Sequence, residues 1–100
     1  MTGQTWHVYM LRCRDNSLYT GVALDVLKRF EEHCTGKGAR CTRAKGVREL
    51  AYAVALFSKS QAYAVEYRIK RLAKSSKEQI VREQWNAREL LEYLNLSSTR

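Results

Sequence analysis

Residues 18–33 read LYTGVALDVLKRFEEH, and how this stretch is parsed decides the fold. A strand-like run carries Tyr19 into Gly21. Asp25 then offers a carboxylate to the N-terminus of a helix, and that helix puts Arg29 and His33 one turn apart on one side. The periodicity predicts the helix over Val26–Cys34. At about 100° per residue, Val26, Leu27, Phe30 and Cys34 form an apolar stripe roughly 100° wide, with Lys28 and Glu32 opposite. Arg29 and His33 fall at one border of the stripe, where helix meets sheet.

Toward the N-terminus, Trp6–Cys13 (WHVYMLRC) is apolar on both alternating faces, which predicts a strand buried on both sides. Arg14, Asp15 and Asn16 form a turn, and Ser17–Val22 reads as the returning strand. A three-residue loop pairs Cys13 with Ser17, Leu11 with Tyr19 and Tyr9 with Gly21, so both tyrosines project from one face. A two-residue loop would put them on opposite faces. Asn16 tolerates the left-handed backbone that the longer loop needs at its third position, which selects the first register.

Toward the C-terminus, residues 35–48 hold three of the five glycines and read as a mobile basic loop. Leu50–Phe57 is apolar throughout and predicts a buried third strand. Ser58 with Gln61 predicts a capped helix to about Ala73, with Ala62, Val65, Ile69 and Leu72 inward and Glu66 and Lys70 at its edge, one turn apart. Ser75 with Glu78 and Asn86 with Glu89 mark two further helix starts, bringing in Ile80, Leu90, Leu91 and Leu94. Trp6 and Trp85 read as core residues. The expected fold is α/β: a small central antiparallel three-stranded sheet flanked by helices, in the order β-β-α-β-α-α. One domain over residues 1–100 is expected, with a motif-bearing core at about 6–80 and a helical extension at about 81–96.

Lys and Arg outnumber Asp and Glu by 18 to 10, for a formal charge of +8. Five basic and no acidic residues fall from Gly36 to Arg48, which concentrates the excess and favours a polyanionic partner. Lys37, Arg40, Thr42, Arg43 and Lys45 are therefore read as phosphate contacts, with a flexible surface as the competing reading. No apolar run approaches the roughly 20 residues of a membrane span, and the start MTGQTWHVYM lacks an export pattern, so a cytoplasmic protein with no membrane partner and no obligate protein partner is expected. Cys13, Cys34 and Cys41 are then expected as reduced thiols. A zinc site at His33, Cys34 and Cys41 matches no common ligand spacing.

With these residues in place, the chain resembles the GIY-YIG nuclease family, and within it the small stand-alone bacterial-type members. Val8-Tyr9-Met10 stands at the family's first tripeptide, with His7 in place of its Gly and Val8 in place of its Ile. Tyr19-Thr20-Gly21 stands at the second. Arg29 matches the family's helix arginine, His33 the position four residues later, Glu66 the metal-binding glutamate, and Lys70 completes a Glu-x-x-x-Lys. No Asn follows Glu66 at the distance where some relatives carry one. The resemblance spans roughly residues 6–80.

The resemblance implies a metal-dependent endonuclease acting on DNA, with structured or damaged DNA among its substrates. It implies one Mg²⁺ or Mn²⁺ ion, weakly held by Glu66 without substrate. Mg²⁺ commonly binds through one or two carboxylates plus phosphate, so a single protein ligand suffices. Arg29 would present its planar fork of donors to the phosphate. A phenol of pKa about 10 is about a thousandth ionised at neutral pH, so a tyrosine base needs help from Arg29, Lys70 or His33. Tyr19 is favoured over Tyr9 for that role.

Taken singly, each of these residues has an ordinary structural explanation: half-buried tyrosines, a solvated helix edge, an i,i+4 surface pair contributing about 0.2–0.5 kcal/mol. Together they do not explain why every polar member sits at a stripe border facing one sheet. The rival reading is a nucleic-acid-binding module that uses the same basic face without cleaving. A third is a scaffold whose patch recruits an acidic partner.

Overall fold

The computed structural model describes residues 4–96. Three antiparallel strands, β1 (His7–Cys13), β2 (Leu18–Ala23) and β3 (Val47–Ala55), form a sheet in the order β2-β1-β3. The first strand in sequence is thus the central one. Its residues from Val8 to Cys13 are all buried, as a strand covered on both faces requires.

The hairpin adopts the three-residue loop. Cys13 N–H donates to the Ser17 carbonyl at 2.9 Å, Asn16 N–H donates back to the Cys13 carbonyl at 2.9 Å, and Asn16 takes the left-handed conformation at φ 71°. Tyr9 consequently lies opposite Gly21, and Leu11 opposite Tyr19.

Two layers cover the sheet unequally. Against one face, Val8, Met10, Tyr52 and Val54 meet helices α3 (Lys59–Lys70), α4 (Lys74–Glu83) and α5 (Ala87–Tyr93) through Ala62, Val65, Ile69, Ile80, Leu90 and Leu91. Against the other, the buried apolar cluster is small, Tyr9, Leu11 and Ala23, with Val26 and Phe30 of α1 (Val26–Cys34) packed on it. A buried aliphatic side chain contributes roughly 1.5–3 kcal/mol, so the three C-terminal helices carry most of the cohesion and the α1 face is thinly anchored. Three of the predicted caps form: Asp25 accepts from the Lys28 N–H, Ser58 accepts from the Gln61 N–H, and Asn86 with Glu89 makes a reciprocal capping box.

Four expectations are corrected. The mobile loop over 35–48 contains a helix, α2 (Arg40–Lys45), entered from Ala39 and ended by Gly46 at φ 79°. Glycine punctuation there marks helix ends, and the helix order becomes longer than predicted. Strand β3 begins at Val47, and it alternates Tyr52 and Val54 inward with exposed Ala53 and Ala55, because it is an edge strand covered on one face. Helix α4 starts at Lys74, entered from Ala73 with no side-chain cap in place of the expected Ser75 cap, and Glu78 pairs with Arg12.

The fourth correction concerns α1, which is rotated from the predicted stripe. Leu27 is 70% exposed and Cys34 is exposed, whereas His33 is only 2% exposed. A buried histidine replaces an apolar residue at the centre of the inward face because hydrogen-bond partners wait for both its ring nitrogens.

Arg12, a charged residue in the central strand, was not read as special from sequence. It is 9% exposed and makes a bidentate pair with Glu78, one arm at 2.8 Å, while Lys74 joins Glu78 at 2.5 Å and the Asn16 carbonyl at 3.0 Å. This clamp ties α4 to the β1–β2 turn. Arg12 and Lys74 hold the Glu78 carboxyl down to about 2, far below its ordinary range. A depressed carboxylate contributes stability that is full above the ordinary carboxylate pKa and is lost as pH falls through the folded value. The protein should therefore lose stability between about pH 4.5 and 2, where Glu78 takes up its proton. At neutral pH Glu78→Gln should cost on the order of 1–3 kcal/mol, by leaving the buried Arg12 with only the long contact to the exposed Glu49 at 3.9 Å. Chemical denaturation against pH checks both, and a variant as stable as the parent at neutral pH would refute the clamp.

Candidate functional site

The hairpin register puts Tyr9 and Tyr19 side by side on the α1 face, their ring centroids 6.4 Å apart. The His33 ring completes a three-ring cluster, 5.9 Å from Tyr9 and 5.1 Å from Tyr19. Gly21 makes room for it: a methyl group there would lie 2.5 Å from the Tyr9 Oη. The glycine opposite Tyr9 is therefore a steric requirement of the phenol's position, independent of any need for unusual backbone angles.

A chain of hydrogen bonds runs inward from the Tyr9 hydroxyl. Tyr9 Oη lies 2.9 Å from His33 Nε2, His33 Nδ1 lies 2.7 Å from Thr42 Oγ1, and Thr42 donates to the Ala39 carbonyl at 2.9 Å. The terminal carbonyl accepts only, so the direction of the whole chain follows. Thr42 spends its proton on Ala39 and must accept from His33 Nδ1–H. His33 Nε2 is then bare and accepts the Tyr9 O–H. This assignment requires a neutral imidazole, and burial, reinforced by the Arg29 charge, holds the His33 pKa below its ordinary value. Gly38 closes the arrangement, because any Cβ at that position would collide with the His33 ring at Nδ1.

Tyr9 itself is a reluctant acid. Burial, followed by the neighbouring Tyr19, pushes its pKa up to about 12, against an opposing pull from Arg29. Arg29 Nη1 donates to Glu32 at 2.9 Å and the guanidinium also hydrogen-bonds the Tyr9 side chain, which leaves its remaining donors for a ligand at a side chain 35% exposed. Beside Arg29 opens a cleft of about 310 Å³, with Trp6, Ala23 and Leu24 on its apolar side and Lys28, Arg29 and Glu32 on its charged side.

Glu66 arrives from the opposite layer on α3. Its side chain is 19% exposed and pairs with Lys70 at 3.2 Å, and its charge is felt at the Tyr9 hydroxyl. No group of three or more His, Cys, Asp or Glu side chains that could hold a metal ion exists among the described residues. One isolated carboxylate suits a hard cation that keeps its own water and leans on substrate phosphate, as Mg²⁺ and Mn²⁺ do. It does not suit zinc, which takes three or four protein ligands.

The structure thus brings Tyr9, Tyr19, Arg29 and His33 together, with Glu66 and Lys70 at the rim. Of the two tyrosines, Tyr9 makes the hydrogen bond to His33, while Tyr19 packs its ring against it. Of the basic-segment residues, Lys37, Arg40 and Arg43 are exposed, and Lys45 pairs with Asp15 at 3.4 Å. Thr42 is corrected: it is fully buried beneath His33 and cannot be a surface phosphate contact. Its inward aim, and the tight approach at Gly38, depend on α2, which the loop reading missed. The spacing of Gly38 and Thr42 around a short helix was the available signal.

A profile of the GIY-YIG catalytic domain matches residues 5–79. The UPF0213 protein YhbQ of Salmonella arizonae is 48% identical over 79 residues, covering 79% of each chain. A UPF0213 protein of Cronobacter sakazakii is 47% identical over 78 residues, 78% of this chain and 82% of the relative. The solution NMR structure of a UPF0213 protein from Bacillus halodurans is 38% identical and covers 93% of this chain and 99% of that one, with a TM-score of 0.53. No helix among the described residues is long and apolar enough to cross a membrane. The tyrosine pair, the glycine beneath it and the helix arginine fall inside the matched region, and the chain belongs to the GIY-YIG family, among its small stand-alone members.

Proposed function

We propose that this protein is a metal-dependent endonuclease that hydrolyses DNA phosphodiester bonds, with structured or damaged DNA as its substrate class. The observation that carries the reading is the directed chain Tyr9–His33–Thr42–Ala39, built in a thinly packed layer beside an arginine and within electrostatic reach of a carboxylate.

Such hydrolysis requires a water to lose a proton as its oxygen attacks phosphorus and the bond to the 3′ oxygen breaks. With its pKa pushed up to about 12, Tyr9 does not stand ionised at neutral pH. It can act by relay. Tyr9 Oη takes the proton of the attacking water as its own proton passes to His33 Nε2, and no free phenolate accumulates. The depressed His33 pKa keeps the imidazole neutral and ready at physiological pH. Thr42 and Ala39 hold the ring in the tautomer that accepts. Arg29 supplies donors to the non-bridging oxygens, where charge builds. Tyr19 packs on both His33 and Tyr9 and fixes their rings. A divalent cation held by Glu66 would neutralise charge on the departing 3′ oxygen, and Lys70 holds the carboxylate at the rim until it binds. The exposed Lys37, Arg40 and Arg43 are placed to meet neighbouring phosphates.

Incubating the protein with branched, flapped and plain duplex DNA, with Mg²⁺ or Mn²⁺, should give cleavage that chelation abolishes. Arg29→Ala and Glu66→Ala should each lower the rate by on the order of 10²–10³. Neither should lose more than about 0.5 kcal/mol of stability, since both belong to partly exposed ion pairs. Tight binding without cleavage on every substrate would instead favour the non-catalytic module.

A protonated His33 cannot accept from Tyr9, so the rate should fall on the acid side with an apparent pKa below the ordinary histidine value. His33→Gln should remove that limb from the pH–rate profile and lower the plateau by about 10²–10⁴. An acid limb unchanged in the variant would eliminate the relay.

A further inference from the structure

Helix α3 carries more than Glu66. Its core face is Ala62, Val65 and Ile69, and just beyond the Glu66–Lys70 edge it presents Tyr63 and Tyr67, one turn apart and 47% and 61% exposed. Neither stands alone. Tyr63 packs against Trp6 at 6.0 Å between ring centroids, Lys59 Nζ lies 5.2 Å over the Trp6 ring, and the Arg71 guanidinium lies 5.5 Å over Tyr67. Trp6, read from sequence as a core residue, is only partly buried, and its other side lines the cleft that contains Arg29. Three rings, Trp6, Tyr63 and Tyr67, with one cation over Trp6 and another over Tyr67, therefore lie along a strip that starts at the Arg29 cleft and follows α3 beside Glu66.

We infer that this strip is a stacking platform for unpaired bases of the DNA strand whose phosphate meets Arg29 in the adjoining cleft, so that the substrate carries a single-stranded segment beside the cut. The inference rests on the nuclease reading and deepens it. Aromatic side chains interleaved with Lys and Arg are how proteins hold single strands without reading sequence: every base offers a π-face, and the cations follow the backbone. A paired duplex cannot offer those faces, so the strip discriminates by strand state. A chain of formal charge +8 supplies the general attraction, and the rings supply the preference. Exposed rings would otherwise be a liability on a surface, and here Trp6 and Tyr67 each carry a cation over the ring while Tyr63 leans on Trp6.

Fluorescence anisotropy in EDTA, with a labelled oligo-dT strand and a blunt duplex of equal length, separates binding from chemistry. The parent should prefer the single strand. Tyr63→Ala and Tyr67→Ala should each weaken single-strand binding by about tenfold and leave duplex binding within about twofold, whereas Tyr63→Phe, which keeps the ring, should bind as the parent does. Equal losses on both probes, or no loss on either, would overturn the platform. Circular dichroism on each variant identifies a misfolded one, and the double variant Tyr63→Ser, Tyr67→Ser, with both changes at exposed positions, repeats the comparison. Cleavage in Mg²⁺ is read separately. A protein that keeps the single-strand preference but never cuts retains the platform and loses the nuclease reading, while one that cuts blunt and flapped DNA equally, with no change in Tyr63→Ala, loses the platform alone.

Discussion

The opposition of Tyr9 and Gly21 across two adjacent strands is the constraint on which the rest of this structure depends. Side chains alternate along a strand, so the three-residue turn at Arg14–Asn16 decides which residues share the α1 face. One residue more or less in that turn would leave the Tyr9 ring without the vacancy over Gly21 and remove Tyr19 from its side. Asn16, in a backbone conformation that few residues accept cheaply, thus sets the geometry of a phenol pair several positions away.

The face those phenols occupy is held together in an unusual way for a sheet layer. It buries few apolar side chains, and α1 turns its Leu27 outward. In place of apolar contact there is a buried polar chain in which each member has a partner: Tyr9, His33, Thr42 and the Ala39 carbonyl. In a low-dielectric setting such a chain specifies one arrangement strongly, because any break strands a buried donor or acceptor. The heavier core beneath the sheet, with its three helices, allows this. A layer that contributes little to cohesion can be built around proton-bearing groups and still stay in place. The Arg12–Glu78 clamp works from the other end, tying the decisive turn to α4 and so to that core.

Placed beside the sheet edge, α3 serves both halves of the molecule. One side of the helix supplies core residues, the adjoining edge supplies Glu66, and the next supplies exposed rings. The helical period alone produces this division, since residues three and four apart share a face. The GIY-YIG match spans the tyrosine pair, the glycine and the arginine. Tyr63 and Tyr67 lie on the same helix as Glu66, and Trp6 shares the cleft wall with Arg29.

What the chain's own sequence determined is local and periodic. The alternation in β1, the turn chemistry of Asn16, the caps at Asp25, Ser58 and Asn86, and the helical spacing of Glu66 and Lys70 were all readable, because each depends on neighbours a few residues away. Only the tertiary structure decided the rotation of α1, the burial of Thr42, the choice of Tyr9 as the partner of His33, and the pairing of Arg12 with Glu78. These are satisfaction problems. A buried imidazole or guanidinium is tolerable only where partners far along the chain arrive with the right atoms. Amphipathic periodicity assigns Leu27 to the interior and His33 to the border because it weighs apolarity and has no term for a hydrogen bond that closes at a distance.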